Sequence, residues 1–169
     1  DGCAYIKVLR SPHHHAKIIH VDKKEAEAIP GVLTVLTAED VKGTNILKMP
    51  GDDQPILCGN KVRFVGDPVA AVVATSEEIA SYATEKIDVT YESLDPVLTP
   101  EEALKEGAIR VHDDRSNLFF EQPIIHGDVK KGFSESEVVL EKIYTTQSVE
   151  QGYLENDAGV AYIHENGQL

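Results

Sequence analysis

Apolar and polar positions along this chain fall mostly into short segments with strand character. Residues 4–10 (A-Y-I-K-V-L-R) carry β-branched and aromatic side chains and predict a strand, as do residues 16–22 (A-K-I-I-H-V-D). Ser11-Pro12 and three histidines join them. Residues 23–29 (K-K-E-A-E-A-I) are helix formers, halted by Pro30-Gly31. V-L-T-V-L at 32–36 predicts another strand, and Thr37 is placed to cap a helical turn over 38–41. From 42 to 59 Gly, Pro and Asp recur without period, which predicts a long loop, and loops of that length are usually functional or flexible.

The next block is the most regular. A short strand at 61–65 breaks at Gly66-Asp67-Pro68, and V-A-A-V-V-A-T at 69–75 follows as a continuous apolar run. Such a run, short and rich in Val, predicts a strand buried on both faces. Ser76 then opens a helix to Lys86 with Ile79, Ala80, Ala83 and Ile87 on one face, and I-D-V-T-Y-E at 87–92 alternates as a half-buried strand. Strand, helix and strand in that order predict a parallel element in the sheet. Thr99 caps a short helix to Lys105, and the polar stretch 107–117 is the best domain-boundary candidate. Beyond it come residues 118–126, a Gly127-Asp128 break, a brief helix at 129–133 and, at 138–148, a stretch long enough for a bent strand.

Composition changes this picture only at its edges. The 169 residues suffice for one domain or one domain plus the start of another, and 41% hydrophobic against 27% charged residues argues against disorder. No apolar run approaches the roughly 20 residues of a membrane span, and no signal-peptide pattern is present. The net charge of −13 would repel a nucleic-acid backbone, so neither nucleic acid nor membrane is an expected partner. The chain starts Asp1-Gly2-Cys3 without Met and ends two residues after Asn166-Gly167, a strong hairpin-turn signal. It is therefore expected to be an internal segment of a longer polypeptide, cut within a hairpin; a tail that happens to hold Asn-Gly is the alternative.

Candidate chemistry is sparse. His13-His14-His15 cannot all face one metal from a strand, because successive side chains point to opposite sides. His13 and His15 could share a side but would need further ligands, so a turn carrying polar rings is the more economical reading. Cys3 and Cys58 lack C-x-x-C spacing, which fits a reduced, cytoplasmic setting, with Cys58 as a buried core thiol. No dinucleotide, P-loop or G-x-S-x-G spacing occurs. Glu77-Glu78 and Glu101-Glu102 sit at helix starts, where the macrodipole favours them. Glu150 and Glu155, flanked by apolar residues, could serve as acid or base if buried.

Several stretches together resemble the molybdenum hydroxylases, the xanthine dehydrogenase and aldehyde oxidoreductase family, in their molybdopterin-binding subunit. They are S-P-H-H-H-A-K-I (11–18), I-P-G-V-L-T-V-L-T-A-E-D-V (29–41), P-I-L-C-G-N-K-V-R-F-V-G-D-P-V-A-A-V-V-A (55–74), V-T-Y-E-S-L-D-P-V-L (89–98), G-D-V-K-K-G-F (127–133) and V-E-Q-G-Y-L-E-N-D-A-G-V-A-Y (149–162). The resemblance implies an α+β fold: an α/β hammerhead domain over residues 1–106 with a mixed sheet and short helices, a connection at 107–117, and the first strands of a molybdenum-cofactor-binding domain at 118–169.

It also implies a reaction class. The family hydroxylates aldehydes, purines or other electron-poor N-heterocycles with water as oxygen source, and a glutamate outside this chain is its general base. Molybdopterin belongs to the full-length subunit, iron–sulfur clusters (with or without FAD) lie elsewhere in the complex, and the remaining cofactor domains are the implied partners. The family's cofactor-contacting glutamine, its G-G-G-F-G-G-K stretch and its glutamate are expected past Leu169, so no catalytic, cofactor or metal residue carries over. Gln151 stands where the family commonly has His, and no role is assigned to it. By position, the loop at 45–53 corresponds to the family's substrate-funnel loop, making Leu47 and Met49 the candidate funnel residues. The alternative is a free-standing, non-catalytic interaction or scaffold domain with the same fold.

Overall fold

The computed structural model describes residues 2–48, 53–154 and 159–168, so Met49 and Glu155 lie outside the described residues. The chain forms two compact units, Asp1–Gln122 and Pro123–Leu169.

The described residues of the first unit form six strands: β1 (Tyr5–Arg10), β2 (Ala16–Asp22), β3 (Val32–Leu36), β4 (Lys61–Val62), β5 (Pro68–Ala74) and β6 (Asp88–Ser93). The helices are α1 (Lys24–Glu27), α2 (Glu77–Thr84) and α3 (Pro100–Ala103), with a 3₁₀ turn at Ala38–Asp40. One sheet has the order β1-β5-β3 and the other β4-β2-β6. The apolar run becomes β5, the central strand of the first sheet, and every residue from Val69 to Ala74 except Val73 is buried. Alternation along it serves two cores. Ala70, Val72 and Ala74 pack with Val35, Ala26 and the small residues Ala80 and Ala83 of α2, whereas Val69 joins Ala16, Cys58 and Val62. Burying each such Val contributes about 1.5–3 kcal/mol relative to exposure. The caps fall where the sequence places them: Ser76 accepts from the Ile79 N–H at 3.3 Å, and Thr99 from the Glu102 N–H at 3.2 Å.

The α+β class stands, but the parallel element expected between 69–75 and 87–92 does not. All four strand pairings among the described residues are antiparallel. Both edges of β5 are already taken by β1 and β3, so the chain leaving α2 finds no free edge there. β6 instead pairs with β2 in the other sheet, setting Val89 opposite Val21 and Tyr91 opposite Ile18. The strand expected over 61–65 stops at Val62, because the Asp67 carboxylate takes the Arg63 N–H at 2.6 Å and closes a turn.

From residue 118 onward the expected strands are not formed among the described residues. The regular element there is α4 (Val129–Glu135), in the second unit, capped by Asp128, which accepts from the Lys131 N–H at 3.0 Å. Apolar residues of the 138–148 stretch stand in solvent, Ile143 at 95% exposure. A strand needs a ladder partner for its backbone groups, and the described residues offer none. Asn166-Gly167 does form a turn, closed by the His164 N–H donating to the Gln168 carbonyl at 2.7 Å, with Gly167 at φ +81°.

Candidate functional site

The segment predicted as a long loop folds over the face of the first sheet opposite α2. Val8, Leu36 and Ala71, one from each strand, floor a concavity of about 520 Å³ whose wall carries Leu47, Leu57 and Phe64. Asn45 holds the loop shut across twelve residues: its amide donates to the Leu57 carbonyl at 2.7 Å and accepts the Leu57 N–H at 3.1 Å. The Leu47 N–H donates to the Gln54 carbonyl at 2.8 Å, which fixes its backbone over the concavity while its side chain stays partly exposed.

Arg10 and Asp40 also line the concavity. Asp40 accepts from the Thr37 N–H at 2.8 Å, from the Thr37 hydroxyl at 3.0 Å and from the Lys23 ammonium at 3.2 Å. These bonds, the backbone one foremost, hold its carboxyl below the ordinary range and keep it ionised. A mostly apolar hollow whose carboxylate is already committed can receive an apolar group but offers no base or nucleophile.

A second, polar cluster lies in the G-N-K-V-R-F-V-G-D-P stretch. The Lys61 ammonium contacts the Asp113 carboxylate at 2.6 Å, and Asp67 is 1% exposed. Cys58 is buried and hydrogen-bonds to Asp67; burial first, and the Asp67 charge second, push its thiol up to about 12. Cys3 is exposed. Native protein therefore gives one rapidly titrating thiol with a disulfide reagent and two after denaturation. Two fast thiols in the native state would refute the buried placement of Cys58.

The other sequence candidates disperse. His14 is exposed, and His13 packs tilted against Tyr91 with ring centroids 4.7 Å apart. His15 is no surface decoration: it is 5% exposed, with Nδ1 2.9 Å from the Asp95 carbonyl. Glu150 and Gln151 are exposed, so Glu150 has no apolar surroundings to act in. Glu77 pairs with Lys7 at 3.1 Å, and Glu102 accepts the Leu98 N–H at 3.3 Å, both structural tasks. Sequence reasoning missed Lys61, Arg63, Asp67 and Asp113; only the alternation of Lys61 and Arg63 around Val62 hints at them.

Among the described residues no group of three His, Cys, Asp or Glu is placed to hold a metal ion. The buried side-chain polar atoms without a partner among them, His15 Nε2 and Arg63 Nε, both belong to the first unit. The described part of the second unit leaves no buried donor for a pterin or its metal, so the described residues do not by themselves fit that group.

Comparison with known proteins gives the context. Residues 1–95 match the family model described as aldehyde oxidase and xanthine dehydrogenase, a/b hammerhead domain, and residues 111–169 match that of a molybdopterin cofactor-binding domain. The chain is 42% identical to a probable xanthine dehydrogenase component of Bacillus subtilis, over 98% of this chain and 22% of that protein. It is 34% identical to the nicotinate dehydrogenase large molybdopterin subunit of Eubacterium barkeri, over 98% of this chain and 39% of that one. The structure superposes on the aldehyde oxidoreductase of Desulfovibrio gigas with a TM-score of 0.74 and 37% identity, covering 81% of this chain and 16% of the other. The chain thus spans well under half the length of these relatives. With the hammerhead match covering more than half of its residues, this chain belongs to the aldehyde oxidase and xanthine dehydrogenase family.

Proposed function

We propose that this chain is the hammerhead segment, with the beginning of the cofactor-binding region, of the catalytic subunit of a molybdenum hydroxylase. Its domains are placed at 1–106 and 118–169, joined by 107–117. The whole enzyme oxidises a purine, another N-heterocycle or an aldehyde with water as oxygen source, in the cytoplasm, together with iron–sulfur partners, with or without a flavin one. The bound molybdenum cofactor supplies the redox centre of that reaction. This segment positions rather than catalyses: β5 anchors the first sheet, and the Asn45 clasp presents the loop. The observation that carries the reading is the pair of family matches, in order, at 1–95 and 111–169.

Within it, Leu47 and Met49 line the substrate funnel. Leu47 stands half out of an apolar hollow, held by its backbone bond to Gln54, as a residue meeting a small apolar ring would. Replacing both by Ala in the full-length subunit removes contact area worth about 1 kcal/mol, so KM should rise roughly 5-fold for at least one substrate class with kcat little changed. Unchanged KM for purine, nicotinate-like and aldehyde substrates alike would sink the funnel assignment. Molybdenum content of the full-length protein tests the enzyme reading separately.

A further inference from the structure

Lys61 is a buried ammonium on the outward side of a sheet, and its position follows from register. Ala16 pairs with Val62 and Lys17 with Lys61. Ala16 and Val62 point into the core, so Lys61, Arg63 and the neighbouring His15 fall on the opposite face. Lys17 on that face is exposed and pairs with Glu92 at 2.8 Å. Lys61 has only 6% of its side chain exposed. What reaches it there is the 107–117 stretch, through Asp113.

We propose that this basic face of the second sheet is the docking surface for the connecting stretch 107–117, within which the cofactor-domain match begins, with the Lys61–Asp113 ion pair as its latch. Lys61 lies in the hammerhead match and Asp113 in the cofactor-domain match, so the 2.6 Å contact joins the two parts of the chain. The pair is asymmetric: the ammonium is buried, while the Asp113 side chain is 74% exposed. Losing the carboxylate would strand a desolvated cation, which makes this pair unlike an ordinary surface bridge. The Lys61 hydrogen bond first, and the charges of Lys61 and Arg63 after it, hold the Asp113 carboxyl below its usual range. The docked stretch is also internally ordered. Asn117 accepts the Val111 N–H at 2.9 Å and donates to the carbonyls of Ile109 at 2.8 Å and Ala103 at 3.2 Å. Beside the latch, His112 Nε2 stands 3.9 Å from Asp53, so the docked stretch also faces the 42–59 loop. This surface does not depend on the funnel assignment.

Amide hydrogen exchange on this chain tests it. Asp113→Asn keeps shape and removes charge at an exposed side chain, so the fold survives. Exchange of the amides at 108–117, Val111 above all, should accelerate by about 10-fold while those of α2 stay unchanged. Lys61→Met, which replaces the buried ammonium with an apolar chain, should release the same amides. Unchanged exchange at 108–117 in both variants overturns the latch. So does equal acceleration in α2, because that would report global destabilisation instead of undocking.

Discussion

Gly31→Ala should lower the stability of the hammerhead unit by about 2–4 kcal/mol, from left-handed strain and overpacking together. Gly31 sits at φ +95°, where an L side chain is strained, and its carbonyl accepts the Thr75 N–H at 2.9 Å as β3 begins. A Cβ there would come 2.7 Å from Ile79 Cδ1 and 2.9 Å from Thr75 Oγ1. Half-buried Ile79 packs against the core that α2 shares with β5, so moving its Cδ1 aside costs packing there. Two comparisons separate the causes. Gly66 has φ +103° but open space around a Cβ, so Gly66→Ala should cost about 1–2 kcal/mol, the strain alone. Gly43 has neither strain nor neighbours, and Gly43→Ala should stay within about 0.5 kcal/mol. Urea denaturation of the three variants reads the order directly. If Gly31→Ala costs no more than Gly66→Ala, the contact with Ile79 is not a constraint.

How much of the fold is legible in the sequence depends on whether the deciding contact is local. β1, β2, β3, β5 and β6, the caps at Ser76 and Thr99 and the burial of Cys58 follow from nearest-neighbour pattern, and they stand. The destination of β6 does not, because it depends on which edges of β5 other strands have already occupied. Periodicity at 138–148 is equally blind to whether a partner strand is at hand. The family is readable from ordered motifs spread over the chain, a signal that survives where no single residue is diagnostic. The polar cluster is hidden for a different reason. Lys61 and Asp113 meet across a separation that no spacing rule covers, and a lysine in a strand gives no sign that a later segment will bury it. His15 escapes the sequence likewise: its neighbour His14 is exposed, and only its pairing beside Leu94 places it inside.

Asp67 carries the other large expected effect. Its carboxylate is buried and accepts the Arg63 N–H at 2.6 Å, while its own backbone carbonyl takes the Ser11 N–H at 2.8 Å. It thus ties the turn after β4 to the segment joining β1 and β2, at the point where the two sheets meet. Asp67→Ala leaves the part-buried Arg63 N–H without an acceptor and should cost about 3 kcal/mol. Asp67→Asn keeps an oxygen for that N–H and should cost about 1 kcal/mol. The two variants differ in a second readout. The Asp67 charge is the second cause, after burial, of the elevated Cys58 thiol, so neutralising it in the still-folded Asp67→Asn protein should bring that thiol down from about 12. Burial persists, so it should remain above the ordinary cysteine value. Alkylation of Cys58 followed against pH in native protein would then show its inflection moved to lower pH, with Cys3 unaffected. Stability falling while the Cys58 profile stays fixed would mean that Asp67 closes the turn but does not set the state of the thiol. A fixed profile with unchanged stability would remove the Asp67 carboxylate from both tasks, and the turn would then be held by backbone bonds such as Asp67 N–H to Phe64 and those between Ser11 and the 66–67 backbone.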